Sequence, residues 1–137
     1  MDDEPAPTVE RLVGVYHAEG TVRGELAYWV GARLGRAHCA LCDITHGTFR
    51  MRDDWQACRD SLLVPFDTFH LDDQPSGLRP LTEGRTPCVV ALTATGPRLL
   101  LGPDDLDACG GEVDRFADAL ERSVAAAGLA WPPEPAP

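Results

Sequence analysis

The segment Cys88-Val89-Val90-Ala91-Leu92-Thr93 constrains the fold of this chain most. It is continuous, apolar and rich in β-branched residues, and it reads as a strand. Pro87 stands immediately before it, a position where a missing N–H is tolerated at a strand start. Thr95-Gly96-Pro97 then supplies a turn and Arg98-Leu99-Leu100-Leu101 a second strand, so the two form a predicted hairpin.

The other elements are read around that hairpin. Leu12-Val13-Gly14-Val15-Tyr16 is a short apolar run, consistent with a buried strand that Ala18-Glu19-Gly20 ends. In residues 24–34, Leu26, Trp29, Val30 and Leu34 share one helical face, and Gly35 is a plausible stop. Asp53 reads as the cap of a helix over 53–62, with Trp55, Cys58 and Leu62 on one face. Residues 63–71 read as a strand in which Pro65 marks an edge or a start, and 72–85 as a loop rich in Asp, Pro and Gly. After Gly102-Pro103-Asp104 turns the chain toward a short helical segment, Val113, Phe116, Ala117, Leu120 and Val124 mark a final amphipathic helix, with Gly128 behind it. Residues 1–8 are polar and read as disordered, 9–130 as one domain, and 131–137 as a proline-rich extended tail from which Trp131 can pack back. One β-α-β half is therefore followed by one β-β-α half: an α/β domain with a small mixed sheet flanked by helices.

Composition narrows the function. At 137 residues the chain suits a single domain with a core of its own. Its formal net charge of −10 repels nucleic acid and anionic membrane, so neither is expected as a partner. All twelve basic residues are arginine, which leaves no lysine for a phosphate loop or a Schiff base. No segment approaches the ~18 apolar residues of a membrane helix. The acidic Met1-Asp2-Asp3-Glu4 is the reverse of a signal peptide, so a cytoplasmic location is expected. There, five cysteines are expected to be reduced, catalytic or metal-bound rather than a disulfide framework.

The chemistry concentrates in His38-Cys39-Ala40-Leu41-Cys42-Asp43-Ile44-Thr45-His46-Gly47. At a helix start, residues three apart lie on one side, within reach of a disulfide. The first thiol would also face unpaired N–H groups and the positive helix end, both of which favour thiolate. His38 would assist if protonated, and Asp43 would oppose. The same spacing suits a metal. On a continued helix Cys39, Cys42 and His46 share one face, three acceptable ligands for zinc or iron, with Cys88, His38 or water as a fourth. Both readings stand beside a plainer one, in which the two cysteines are merely small packing residues.

Elsewhere the plain readings lead. His17 and His70 read as surface or satisfied core histidines, Cys58 and Cys109 as structural, and Trp29 and Trp55 as packing residues. Cys88 can face either the core or the motif. Asp53-Asp54, Asp72-Asp73 and Asp104-Asp105 are neighbours that do not share a face, so they read as caps and solvated loops. No dinucleotide glycine fingerprint and no G-x-S-x-G is present.

This order of elements, with C-x-x-C at a helix start and a proline before the third strand, resembles the thioredoxin-like superfamily over residues 12–127. The helix at 24–34 would then be an insertion between the first strand and the motif. The resemblance implies that Cys39 is the exposed nucleophile and Cys42 the resolving cysteine, with Thr86 and a cis Pro87 beside them holding substrate. The chain also resembles small bacterial proteins that share V-Y-x-A-x-G, here from Val15 to Gly20, and C-x-L-C-D-I-T-H-G; that likeness brings no function with it. The leading expectation is a thiol-disulfide oxidoreductase or thiol redox sensor, needing no cofactor and acting on a protein or small-molecule thiol or disulfide. The alternatives are a zinc- or iron-binding protein and a non-catalytic interaction module.

Overall fold

The computed structural model describes residues 6–17, 40–45 and 52–133, with 40, 42 and 43 in backbone alone. The elements are β1 (Val9–Val15), α1 (Ala40–Thr45), α2 (Asp53–Ser61), β2 (Phe66–Phe69), a 3-10 turn (Ser76–Leu78), α3 (Arg79–Thr82), β3 (Cys88–Thr93), β4 (Gly96–Leu101), α4 (Pro103–Asp107) and α5 (Val113–Ala126). The helix expected over 24–34 lies outside the described residues.

The four strands form one mixed sheet in the order β2-β1-β3-β4. β1 runs parallel to β2, with Leu12 opposite Phe66, and antiparallel to β3, with Val15 opposite Cys88. The hairpin read from the sequence is present, β3 pairing antiparallel with β4. Parallel neighbours need a crossover, and α1 and α2 lie in the one that joins β1 to β2.

From Leu12 onward β1 is buried on both sides of the sheet, which is why its sequence there is a run rather than an alternation. Leu12 and Tyr16 face a larger cluster with Leu41 and Ile44 of α1, Trp55 of α2, Phe66, Val89, Ala91 and the inner face of α5. Val13 and Val15 face a smaller one with Leu78, Cys88 and Val90, flanked by Phe69, Leu81, Leu92 and Leu99. Trp55, Phe66 and Phe116 meet edge-on in the larger cluster, with Trp55 5.0 Å from Phe66 and 5.6 Å from Phe116 between ring centres. The apolar stripe of α5 read from the sequence is the buried one: Val113, Phe116, Leu120 and Val124.

Several boundaries move for local reasons. β1 begins at Val9 rather than Leu12, because Thr8 bridges Ala130 and the Val9 N–H donates to the Ala130 carbonyl at 2.8 Å. Trp131 follows that bridge and packs against the larger cluster. Arg52, not Asp53, occupies the position before α2, without a side-chain capping bond, and Asp53 is the helix's first residue. Asp53 and Asp54 thus sit where the helix dipole favours negative charge. Arg52 itself spans Asp54 and the Gly111 carbonyl, tying the start of α2 to the turn before α5. The loop expected over 72–85 contains the 3-10 turn and α3, whose Leu78 and Leu81 cover the smaller cluster. β4 starts at Gly96 and includes Pro97. An edge strand tolerates a proline whose missing N–H faces away from its partner.

Gly14 fixes how closely the first crossover can approach the sheet. A Cβ there would stand 3.0 Å from Leu41 Cδ2 and 3.0 Å from Phe66 Cε1. Gly14→Ala is therefore expected to destabilise by about 1–3 kcal/mol through overpacking, measured by urea unfolding. Gly77→Ala, where no atom lies within 4 Å, is the control and should be close to neutral.

Candidate functional site

The site expected from the sequence has two halves: the cysteine motif and the Thr86-Pro87 turn. His38, Cys39 and His46 lie outside the described residues. Cys42 and Asp43 are positions of α1, which starts at Ala40, the residue after Cys39, and ends at Thr45. Thr86 and Pro87 are described, and the peptide bond between them is cis.

Thr45, the last residue of α1, and Thr86, just before β3, both lie by the end of β1. β3 begins at Cys88, opposite Val15, the last residue of β1. The two residues that leave β1 each reach a different half. Tyr16, buried, shares a hydrogen bond of 2.9 Å between its hydroxyl and Thr45 Oγ1 in α1. His17, exposed, shares one of 2.9 Å between Nδ1 and Thr86 Oγ1. The Tyr16 ring also lies 5.4 Å from that of His70, just past the end of β2, and the His70 N–H is held by the Asp73 carboxylate at 2.5 Å. Leu41, Ile44 and Thr45 are all fully buried.

Beside Thr86 a polar cleft of about 310 Å³ is lined by Leu71, Gln74, Arg79, Thr82, Glu83 and Gly84. Its inner wall is already satisfied. Thr82 donates to Gln74 Oε1 at 2.5 Å, and Gln74 donates to the Leu71 carbonyl at 3.2 Å.

Cys88, read from the sequence as facing either the core or the motif, faces the core. Its side chain belongs to the smaller cluster with Val13, Val15 and Val90, on the sheet face opposite Leu41 and Ile44. Burial pushes its thiol up to about 11. The other described cysteines are free thiols with the same bias. Burial raises Cys58, with Asp114 and Asp54 adding to it. Burial and Asp105 raise Cys109 against the opposing pull of Arg115 and Arg122. A thiol held protonated is a poor nucleophile and a poor metal ligand. Among the described residues, no group of three or more His, Cys, Asp or Glu is placed to hold a metal ion.

Sequence reasoning gave Tyr16, His17 and Thr45 no role at the site. Alternation out of Val13 and Val15 does place Tyr16 on the Leu12 face, so its burial was within reach. Nothing local signals that His17 meets Thr86, 69 residues away.

Comparison with known proteins returned no match among protein-family models, curated proteins or solved structures. No helix among the described residues is long and apolar enough to cross a membrane.

The raised Cys88 thiol sets a pH dependence. Unfolding releases it to its ordinary value near 9.0, so above that pH the unfolded chain loses a proton that the folded chain keeps until about 11. Stability is then lost as pH rises through this window. Between pH 9 and 11 the native protein should lose about 2–3 kcal/mol more than Cys88→Ala, measured by urea unfolding at each pH.

Proposed function

We propose that this chain is a thioredoxin-like domain that exchanges dithiol and disulfide through Cys39 and Cys42. The observation that carries the reading is the placement of α1. This helix starts at the residue after Cys39, contains Cys42, and is tied by Thr45 to the end of β1, beside which Thr86-Pro87 leads into β3. A parallel β1-β2 pair with helices in its crossover, followed by an antiparallel hairpin and a closing helix, supports the same fold. The segment carrying Leu26, Trp29, Val30 and Leu34 is the insertion in this reading. The protonated Cys58, Cys88 and Cys109 leave the motif cysteines as the pair suited to exchange.

In the reaction, the Cys39 thiolate attacks one sulfur of a substrate disulfide. A Cys39–substrate disulfide forms, and the other substrate sulfur leaves as thiolate. The Cys42 thiolate then attacks the Cys39 sulfur, releasing the second substrate thiolate and closing a Cys39–Cys42 disulfide. Two electrons pass from the protein dithiol to the substrate, and an external thiol or dithiol restores the reduced protein. His38 favours the attacking thiolate when protonated, and Asp43 disfavours it. Thr86 and Pro87 border the position of the extended substrate. The substrate class is a disulfide of a protein or of a small thiol.

The test is dithiothreitol-driven reduction of a protein disulfide. Cys39→Ser should abolish turnover, and Cys42→Ser should accumulate a mixed disulfide at Cys39, seen by mass spectrometry. Native alkylation should label Cys39 and leave Cys88 unlabelled until the protein unfolds. The reading fails if untagged protein carries about one equivalent of zinc or iron and Cys39→Ser removes both metal and stability.

A further inference from the structure

α5 packs across β4, and the turn that follows α4 borders the space beside them. A cleft of about 400 Å³ lies there, within the ~300–1,000 Å³ range of small-molecule sites. Leu100, Leu101 and Ala119 give it an apolar wall, and Arg115 and Arg122 line it from α5. The two arginines are seven residues apart on one helical face, with the short side chain of Ala119 between them. Both guanidinium charges reach one place. Arg115 Nη1 lies 3.7 Å from where a Cβ on Gly110 would stand, next in the chain to Cys109. Cys109 is buried in the cleft lining; burial and then Asp105 raise its thiol, and both Arg115 and Arg122 pull it back.

The acids nearby do not use up this charge. The Asp105 carboxylate accepts the Gly102 N–H at 2.9 Å. Glu112 pairs with Arg115 through Nε at 2.7 Å, away from the two terminal nitrogens. The Arg122 guanidinium is in no ion pair among the described residues, although Asp118 stands one turn before it. In a chain of formal net charge −10, this is a place where an anion is attracted.

We propose that this cleft binds a small organic anion, with a carboxylate or phosphate group between Arg115 and Arg122 and a short apolar body against Leu100, Leu101 and Ala119. The assignment goes beyond the dithiol reading and does not depend on it. A guanidinium donates in a planar fork that matches either anionic group. The apolar wall selects against inorganic ions, which have nothing to bury there. Asp118 repels the anion from the rim, so its charge limits the affinity.

The experiment is a heteronuclear NMR titration of the full chain at constant ionic strength. Hexanoate and hexyl phosphate are the probes, and hexanol and inorganic phosphate are their separate halves. Both probes should move the amide resonances of Leu100, Ala119 and Ser123, and the tighter of the two identifies the anionic group. Each half should bind about tenfold more weakly. Arg122→Gln and Arg115→Gln should each weaken the probes by about tenfold. Asp118→Asn should strengthen them by about two- to threefold. All three side chains are exposed, so the variants should keep the native Tm. Probes that leave the cleft resonances unmoved would overturn the proposal, as would binding that survives both arginine substitutions. Inorganic phosphate binding as tightly as hexyl phosphate, or hexanol as tightly as hexanoate, would overturn it too.

Discussion

β1 is hydrogen-bonded along both of its sides, and the rest of the molecule depends on that double pairing. Glu10 and Arg11 at the start of β1 stay exposed, but from Leu12 onward both faces of the strand are covered, so its side chains join one of two cores. Leu12 and Tyr16 enter one and Val13 and Val15 the other. Gly14 is the exception that makes the arrangement possible. Its missing side chain lets Leu41 and Phe66 close over the strand, so the crossover helix rests on backbone rather than on another layer of side chains.

That close seating is what gives the end of the sheet its character. α1 meets the end of this strand at two places, Leu41 over Gly14 and Thr45 at Tyr16. The same strand end is linked to the β3 turn through His17. The two cores are unequal in kind as well as size. The larger holds three aromatic rings in mutual edge contact, whereas the smaller is built of short aliphatic residues with Cys88 among them. A thiol in such company behaves as a small apolar group.

Much of this was legible from residues alone where one dominant force acts. The β3 run and the α5 stripe declare themselves because burial selects their side chains directly, at periods of two and 3.6 residues. The α3 turn did not, because Arg79 and Pro80 sit among loop-forming residues and its anchors, Leu78, Leu81 and the buried Thr82, form no helical pattern. Asp53 looked like a cap because aspartate also favours the first turn, for the electrostatic reason that places it there. The orientation of Cys88 was open until the register paired it with Val15, a long-range fact that no local window contains. His17 and Thr86 belong to the same class, and so does Tyr16 with Thr45.

The bridge between Thr8 and Ala130 has a further consequence for how the chain could be rewired. It sets residues 8 and 130 side by side, with the Val9 and Ala130 N–H groups bonded across the gap. A short linker could join these two positions without moving either. New termini opened in an exposed turn would then leave all four strands in their present order.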